Sequence, residues 1–295
     1  MNSFANNVKI QHLSNLFTLD KVQAFVLRLD KFHPIISGNK WFKSRYYLED
    51  AKLKRCDTIV TFGGAFSNHI VATSFACKEN NLKSIGIIRG EEPQQLSHTL
   101  QAAKAFGMEL LFVERSVYKT KQIPNIYQNT ATYIIPEGGY GKLGCQGSAT
   151  IYKDFDLSKY DHIICASGTG TTIAGLIESS LPHQKITGIN VLKGYENIVN
   201  DIKVLLSNAE EKRFTIDNNY HFGGYAKHNE ALISFMNNLW LQEQLPTDFV
   251  YTAKLFYAVK DMIAKNKFEA NAKLLIIHSG GLQGNLSLPN KTLLF

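Results

Sequence analysis

The sequence predicts an α/β protein built on mostly parallel sheets, and three observations carry that prediction. From about residue 57, short apolar runs alternate with helical stretches. The runs are continuous rather than alternating in polarity, as in strands covered on both faces. Most end in a turn rich in glycine or hydroxyl side chains, and regular strand–helix alternation pairs such strands in parallel.

The elements follow in order. DTIVTF (57–62) is the first strand and stops at Gly63 and Gly64. A helix is expected over SNHIVATSFACKENN. LKSIGIIRG reads as a strand, QQLSHTLQAAKAFG as a helix closed by a glycine, and MELLFV as a strand. ATYIIPEGG is a strand stopped by a Pro/Gly turn, and DHIICAS, KITGINV and AKLLIIHS are three more strands. PEGGYGKLGCQG (136–147) holds five glycines and is expected to be a hinge where the chain crosses between two α/β lobes. No repeat or low-complexity segment interrupts the pattern.

The bulk numbers narrow the function classes. The 295 residues, 44% hydrophobic and 19% charged, suffice for a real core. No run approaches the roughly 20 apolar residues that span a bilayer. The N-terminal stretch lacks a basic patch followed by an apolar one, so a cytoplasmic location is expected. Cys56, Cys77, Cys145 and Cys165 are scattered, with no CxxC pair, and read as free buried thiols rather than a zinc or redox site. The net charge of +7 is spread thinly; KLKR (52–55) and KTK (119–121) are its densest runs. That argues against nucleic-acid binding and suits a phosphorylated cofactor or an anionic substrate.

In parallel α/β folds ligands bind at the carboxyl ends of the strands, so the turns there carry the chemistry. ASGTGTTIAG (166–175) joins a strand to a helix. Gly168 and Gly170 admit a close backbone approach, and Thr169, Thr171 and Thr172 add donors, which makes a phosphate cup. It is not a dinucleotide fingerprint, because Ile173 stands where the third glycine belongs. The alternative is a tight turn that binds nothing. GGAFSNH (63–69) starts another helix. Ser67 serves either as a plain N-cap or, with Asn68 and the first amides, as a seat for a carboxylate. His69 taken alone reads as a packed histidine. Ser279 in IIHSGG ends a strand and offers a hydroxyl to a buried ring nitrogen, or only to its own turn.

Lys40 sits between Asn39 and Trp41 at the start of the helix KWFKSRYYLEDAKLK. A helix start disfavours a nearby ammonium and so lowers a lysine's pKa. A lysine that forms an imine needs that lowering. Lys43 and Lys254 are rivals by residue type, and Lys43, one turn further along, is expected to be solvated. A phosphate cup, an anion-binding helix start, a strand-end hydroxyl and a reactive lysine together describe a site for pyridoxal phosphate.

SGNK, GGAFSNH, PEGGYGKLG, ASGTGTTIAG, GGYAKHNEAL, VYTAK and HSGG occur in the order found in pyridoxal-phosphate enzymes of the tryptophan synthase β-like superfamily. Over residues 23–285 the sequence resembles the group of D-cysteine desulfhydrases and 1-aminocyclopropane-1-carboxylate (ACC) deaminases. The resemblance implies a two-lobed fold of type II with the cofactor between lobes, and a homodimer. It places residues 1–43 and 145–295 in the larger, cofactor-binding lobe and 44–144 in the smaller. It makes Lys40 the Schiff-base lysine and puts Asn68 on the cofactor's 3-hydroxyl. Ser67 and the amides of 67–69, His69 included, then hold the substrate carboxylate. The turn Gly168–Thr172 holds the phosphate, Ser279 meets the pyridine nitrogen, and Tyr225 and Tyr251 face the substrate.

The departures concern the substrate. Phe42 replaces a usual arginine and Trp41 precedes it. LRLDK keeps only Arg28 and Asp30 of a more polar segment, and LQGN follows SGG. Ring-opening ACC deaminases carry Glu where Thr252 stands and Leu where Ser279 stands. A hydroxyl at the pyridine nitrogen makes a weaker electron sink than a carboxylate, adequate for expelling a good leaving group such as a thiol. The expected activity is therefore β-elimination from a small amino acid, D-cysteine giving pyruvate, sulfide and ammonia. The alternatives are ACC deamination to 2-oxobutyrate, a cofactor-binding protein with a drifted pocket, and a nucleotide-binding regulator resting on GTGTT alone.

Overall fold

The computed structural model describes residues 7–17, 22–36, 38–209 and 214–295; Ser37 of SGNK lies outside them. In chain order the elements are β1 (Ile10–Leu13), β2 (Val22–Leu27), α1 (Asn39–Leu53), β3 (Thr58–Gly63), α2 (Asn68–Glu79), β4 (Lys83–Arg89) and α3 (His98–Ala105). Then come β5 (Met108–Val113), α4 (Arg115–Thr120), β6 (Thr132–Ile135), α5 (Lys142–Ala149), α6 (Ile151–Asp154), β7 (His162–Ser167) and α7 (Thr171–Ser179). The rest are β8 (Lys185–Asn190), α8 (Ile198–Leu205), β9 (Phe214–Asp217), α9 (Glu230–Glu243), α10 (Thr252–Ala264) and β10 (Ala272–Ile277).

These strands form two sheets, one per lobe. The larger has the order β1-β2-β10-β7-β8-β9 and the smaller β5-β4-β3-β6. Every pairing is parallel except β1 with β2. The continuous apolar runs have the predicted cause. All six residues of β7 are buried. Ile163 and Cys165 pack on the face covered by α7 and α8, while Ile164 and Ala166 pack on the face covered by α10. Each fully buried isoleucine here contributes about 1.5–3 kcal/mol.

Topology brings the site together. In the larger sheet the chain runs outward from β7 to β8 and β9, and β10 returns on β7's other side. In the smaller sheet β4 and β5 lie on one side of β3 and β6 on the other. Each arrangement opens a crevice at its strand carboxyl ends, where ligands bind in open α/β sheets. Register places Cys165 opposite Ile277, so the turns after β7 and β10 lie side by side.

The glycine-rich segment lies where the chain crosses between the sheets, as expected, and Gly138, Gly139 and Gly141 bend it at positive φ; its second half is not a hinge. Residues 142–149 form α5, and its glycines serve close helix contact. A Cβ on Gly147 would lie 2.0 Å from the carbonyl oxygen of Phe42 in α1, and one on Gly144 would lie 2.1 Å from that of Gly139. Gly175 of α7 meets the Cys145 carbonyl in the same way, at 2.6 Å. Composition cannot separate glycines that bend from glycines that pack. The first two strands and β9 also escaped the sequence reading. The helix expected from Gln94 begins at His98, where Ser97 caps it by accepting the Leu100 amide at 3.2 Å. All four cysteines are buried and unbridged.

Candidate active site

A cavity of about 460 Å³ lies where the strand ends converge, lined from both lobes by the start of α1, the turns after β3, β6, β7 and β10, the end of β4, and two tyrosines. A wider, shallow groove of about 920 Å³ runs along α9, with neither a glycine turn nor a lysine on its walls.

Lys40 is the second residue of α1 and lines the cavity. Gly38 precedes it at φ +64°, and a Cβ there would fall 1.8 Å from the Ser279 carbonyl oxygen. Only glycine satisfies both demands. Asn39 fixes the helix start twice. Its amide donates to Ser279 O at 3.2 Å, and its Nδ2 donates to Thr172 Oγ1 at 2.8 Å. Burial pushes the Lys40 amine down to about 8, with the Asp248 carboxylate opposing the shift.

Lys43 corrects the expectation that it is solvated. It is buried, lines the cavity, and points Nζ at Gly138 O (3.3 Å) and Thr169 Oγ1 (3.4 Å). Burial and the neighbouring Lys40 charge hold its pKa well below the usual lysine range. Lys254 lies elsewhere. It is fully buried and donates to His221 O (2.9 Å) and Gly224 O (2.7 Å), pinning the loop that carries Tyr225. Trp41 stacks on Phe32 and Phe42 packs in the core of the larger lobe. Neither lines the cavity, so this departure leaves the pocket untouched.

The turn after β7 passes through Gly170 at φ +80° into α7. Gly168, Thr169, Gly170 and Thr172 line the cavity, as does Ser167, whose buried hydroxyl has no partner among the described residues. Thr171 is buried behind them, its hydroxyl 3.2 Å from that of Thr169. A Cβ on Gly168 would meet the Tyr251 ring at 3.2 Å, so glycine lets that ring close over the turn.

Ser67 stands at the N-cap of α2, yet its side chain makes no capping hydrogen bond. The hydroxyl is left to the cavity together with the first amides of the helix, which have no intrahelical acceptor. Asn68 and His69 line the cavity too, and each keeps a buried acceptor without a partner among the described residues, Oδ1 and Nδ1. The tautomer of His69 follows from its neighbour. Thr61 donates its only hydroxyl proton to Ile135 O at 2.8 Å, so at 2.8 Å it must accept from His69 Nε2. Nδ1 therefore presents a lone pair. Burial and the Lys40 and Lys43 charges push His69 down to about 3 and keep it neutral.

Tyr225 and Tyr251 face each other edge-on with centroids 6.1 Å apart, and both line the cavity. Burial raises both phenols, so they stay protonated donors. Ser279 lines the cavity two residues past the end of β10. Behind it, His278 donates from Nε2 to Pro246 O at 2.7 Å, and its Nδ1 lies 3.5 Å from Asp30, which Arg28 grips bidentately at 2.7 and 2.8 Å.

The structure adds residues that the sequence reading missed. Asp248 is fully buried beside the site; Oδ1 accepts the amides of Val250 and Tyr251, and Oδ2 accepts the amide and hydroxyl of Thr252. Burial raises its pKa. Thr252 is thus turned to Asp248 and away from the cavity. Arg89 and Glu137 sit on the cavity wall. Arg89 is the last residue of β4, so reading every strand end would have found it.

These residues fit pyridoxal phosphate. A glycine-and-threonine turn backed by a buried amine suits a phosphate, and unpartnered polar atoms at Ser167, Asn68 and His69 await a polar guest. A lysine lowered to about 8 stands among them. Among the described residues no cluster of His, Cys, Asp or Glu could hold a metal, and no helix is long and apolar enough to cross a membrane.

Comparison with known proteins agrees with the geometry. The family described as pyridoxal-phosphate dependent enzyme matches residues 3–280. A solved structure described as an ACC deaminase homologue superposes with a TM-score of 0.83 at 28% identity, over 95% of this chain and 90% of its own. A Thermotoga maritima protein, named provisionally as a 1-aminocyclopropane-1-carboxylate deaminase, is 30% identical over 93% of this chain and 94% of its own. A D-cysteine desulfhydrase of Serratia proteamaculans is 24% identical over 92% and 90%.

Proposed function

Because the chain belongs to the pyridoxal-phosphate-dependent enzymes, we propose that it is a lyase that removes the β-substituent of a small amino acid, D-cysteine first among the candidates. With D-cysteine and water the products are pyruvate, hydrogen sulfide and ammonia. The observation that carries this reading is Lys40, whose amine is lowered to about 8 in a cavity walled by both lobes. Such an amine is part-deprotonated near neutral pH, as a general base must be.

The cofactor, when bound, supplies an electron sink for the pair left on the substrate's α-carbon. The turn Gly168–Thr172 and Lys43 would hold its phosphate, Asn68 its ring hydroxyl, and Ser279 its ring nitrogen. Ser67 and the first amides of α2 hold the substrate carboxylate, and the His69 Nδ1 lone pair accepts a proton donor beside it. Lys40 Nζ takes up the α-proton. Tyr225 and Tyr251, neutral and packed edge-on against each other at the cavity wall, deliver a proton to the departing group.

Elimination is favoured over ring opening by position 252. The Thr252 hydroxyl is bonded to Asp248, so of positions 252 and 279 it is Ser279 that offers its hydroxyl to the cavity. ACC deamination is the second reading, supported by the names of two relatives. The proposal retains a homodimer, a cytoplasmic setting, and lobes at 44–144 and at 1–43 with 145–295.

The test is the visible spectrum of the purified holoenzyme titrated with D-cysteine. The expected result is a shift of the cofactor band with release of sulfide, and loss of turnover in Lys40→Ala. Faster release of 2-oxobutyrate from ACC than of sulfide from D-cysteine would reverse the order of the two readings. Normal turnover by Lys40→Ala would sink both.

A further inference from the structure

We propose that Arg89 selects amino acids whose β-substituent is itself negatively charged, such as a sulfonate, a sulfate ester or a phosphate ester. The inference rests on the reading of the cavity as an amino-acid site and deepens it. Arg89 ends β4 on the cavity wall, on the exposed rim rather than the floor. Its guanidinium reaches Gly64, where a Cβ would lie 3.5 Å from a terminal nitrogen, and lies 5.8 Å over the Tyr118 ring.

Among the described residues no carboxylate pairs with Arg89. The acid beside it on the wall, Glu137, is already paired with Lys121 at 2.5 Å. Lys121 is held in turn against the other cation's platform, 3.6 Å from the Tyr118 ring centroid. The remaining cations of the cavity have other work, Lys43 at the phosphate cup and Lys40 at the α-carbon. The α-carboxylate already has a seat at Ser67, at the far end of the turn closed by the Ser67 amide on Gly64 O at 3.0 Å. Arg89 is left facing what projects outward from the α-carbon, the side chain. A guanidinium fork matches the oxygens of sulfonate and phosphate.

The reaction balances without a further reagent. The carbon–heteroatom bond breaks with its electron pair leaving on the anion, Lys40 takes the α-proton, and water replaces nitrogen. The products are pyruvate, ammonia and the free oxyanion.

Isosteric probes separate charge from shape. Kd is read from the cofactor band of the holoenzyme titrated with each enantiomer of aspartate and of asparagine. For the better-bound enantiomer, aspartate is expected at least about tenfold tighter than asparagine at low salt. Arg89→Met should abolish that preference while changing the asparagine Kd less than about twofold, and Arg89→Lys should keep part of it. Equal binding of the two probes by the wild-type enzyme overturns the inference, and so does an Arg89→Met that weakens both alike, which would assign Arg89 to the α-carboxylate. If D-cysteine shifts the band in either of those outcomes, the amino-acid reading survives. If no amino acid shifts it, that reading falls and takes the inference with it.

Discussion

Asn39 Nδ2 donates to Thr172 Oγ1 at 2.8 Å, joining residues 133 positions apart in the chain. One is the neighbour of Lys40 and the other belongs to the phosphate turn, so a single buried bond sets the lysine against the cup. Removing it leaves the Thr172 hydroxyl buried without its donor, at a cost of about 1–3 kcal/mol. Asn39→Ala should weaken pyridoxal phosphate binding by about tenfold or more, measured by dialysis against the free cofactor. Unchanged affinity would mean that the cup and the lysine are aligned by other contacts.

Lys43 is a buried amine with no carboxylate partner among the described residues, so burial disfavours its charged form and costs stability until an anion arrives. Lys43→Met should therefore act in opposite directions on the two forms. The cofactor-free protein should melt at a higher temperature, while affinity for pyridoxal phosphate should fall about tenfold to a hundredfold. Affinity for pyridoxal, which lacks the phosphate, should barely move. Equal losses for the two ligands would place Lys43 away from the phosphate.

What could be read from the sequence followed the range of the interaction. β3 to β8 and β10 announced themselves because burial on both faces makes a strand continuously apolar, a local signal. The turns at 63–69, 166–172 and 278–281 were legible because parallel topology assigns strand ends to ligands. Lys43 was misread because a helix position one turn past Lys40 says nothing about which side the other lobe covers. Arg89 stood at a strand end that was not read, and Asp248, bonded to Val250, Tyr251 and Thr252 in its own turn, draws its importance from a proximity to Lys40 that only the fold creates. The glycines of α5 were visible as composition but ambiguous as mechanics.

Those glycines give a sharp test of the packing account. A Cβ on Gly147 would lie 2.0 Å from the Phe42 carbonyl oxygen, a backbone atom that cannot rotate away. Gly147→Ala must push α5 off α1, the helix that carries Lys40. Overpacking of this kind costs about 1–3 kcal/mol or more, outweighing the roughly 1 kcal/mol that alanine gains over glycine inside a helix. Chemical denaturation should show a lower midpoint and cofactor binding should weaken with it. A stabilised Gly147→Ala protein would restore the view of this segment as a flexible crossing.

His69 ties the site to the pH dependence of stability. Its folded pKa is pushed down to about 3 by burial and by the Lys40 and Lys43 charges, against about 6.5 for an unfolded histidine. Between those values the unfolded chain binds a proton that the folded chain refuses. Stability is therefore fully present above pH 6.5 and falls as the pH drops toward 3, with a slope of at most about 1.4 kcal/mol per pH unit from this one group. Carboxylates add their own titration below about pH 5, so the clean window is pH 6.5 to 5. His69→Gln, which keeps a donor for Thr61 but does not titrate, should lose stability less steeply across that window in urea titrations of the cofactor-free protein. Parallel slopes for the two proteins would mean that His69 accepts a proton in the folded state, and the lone pair assigned to Nδ1 would have to be given up.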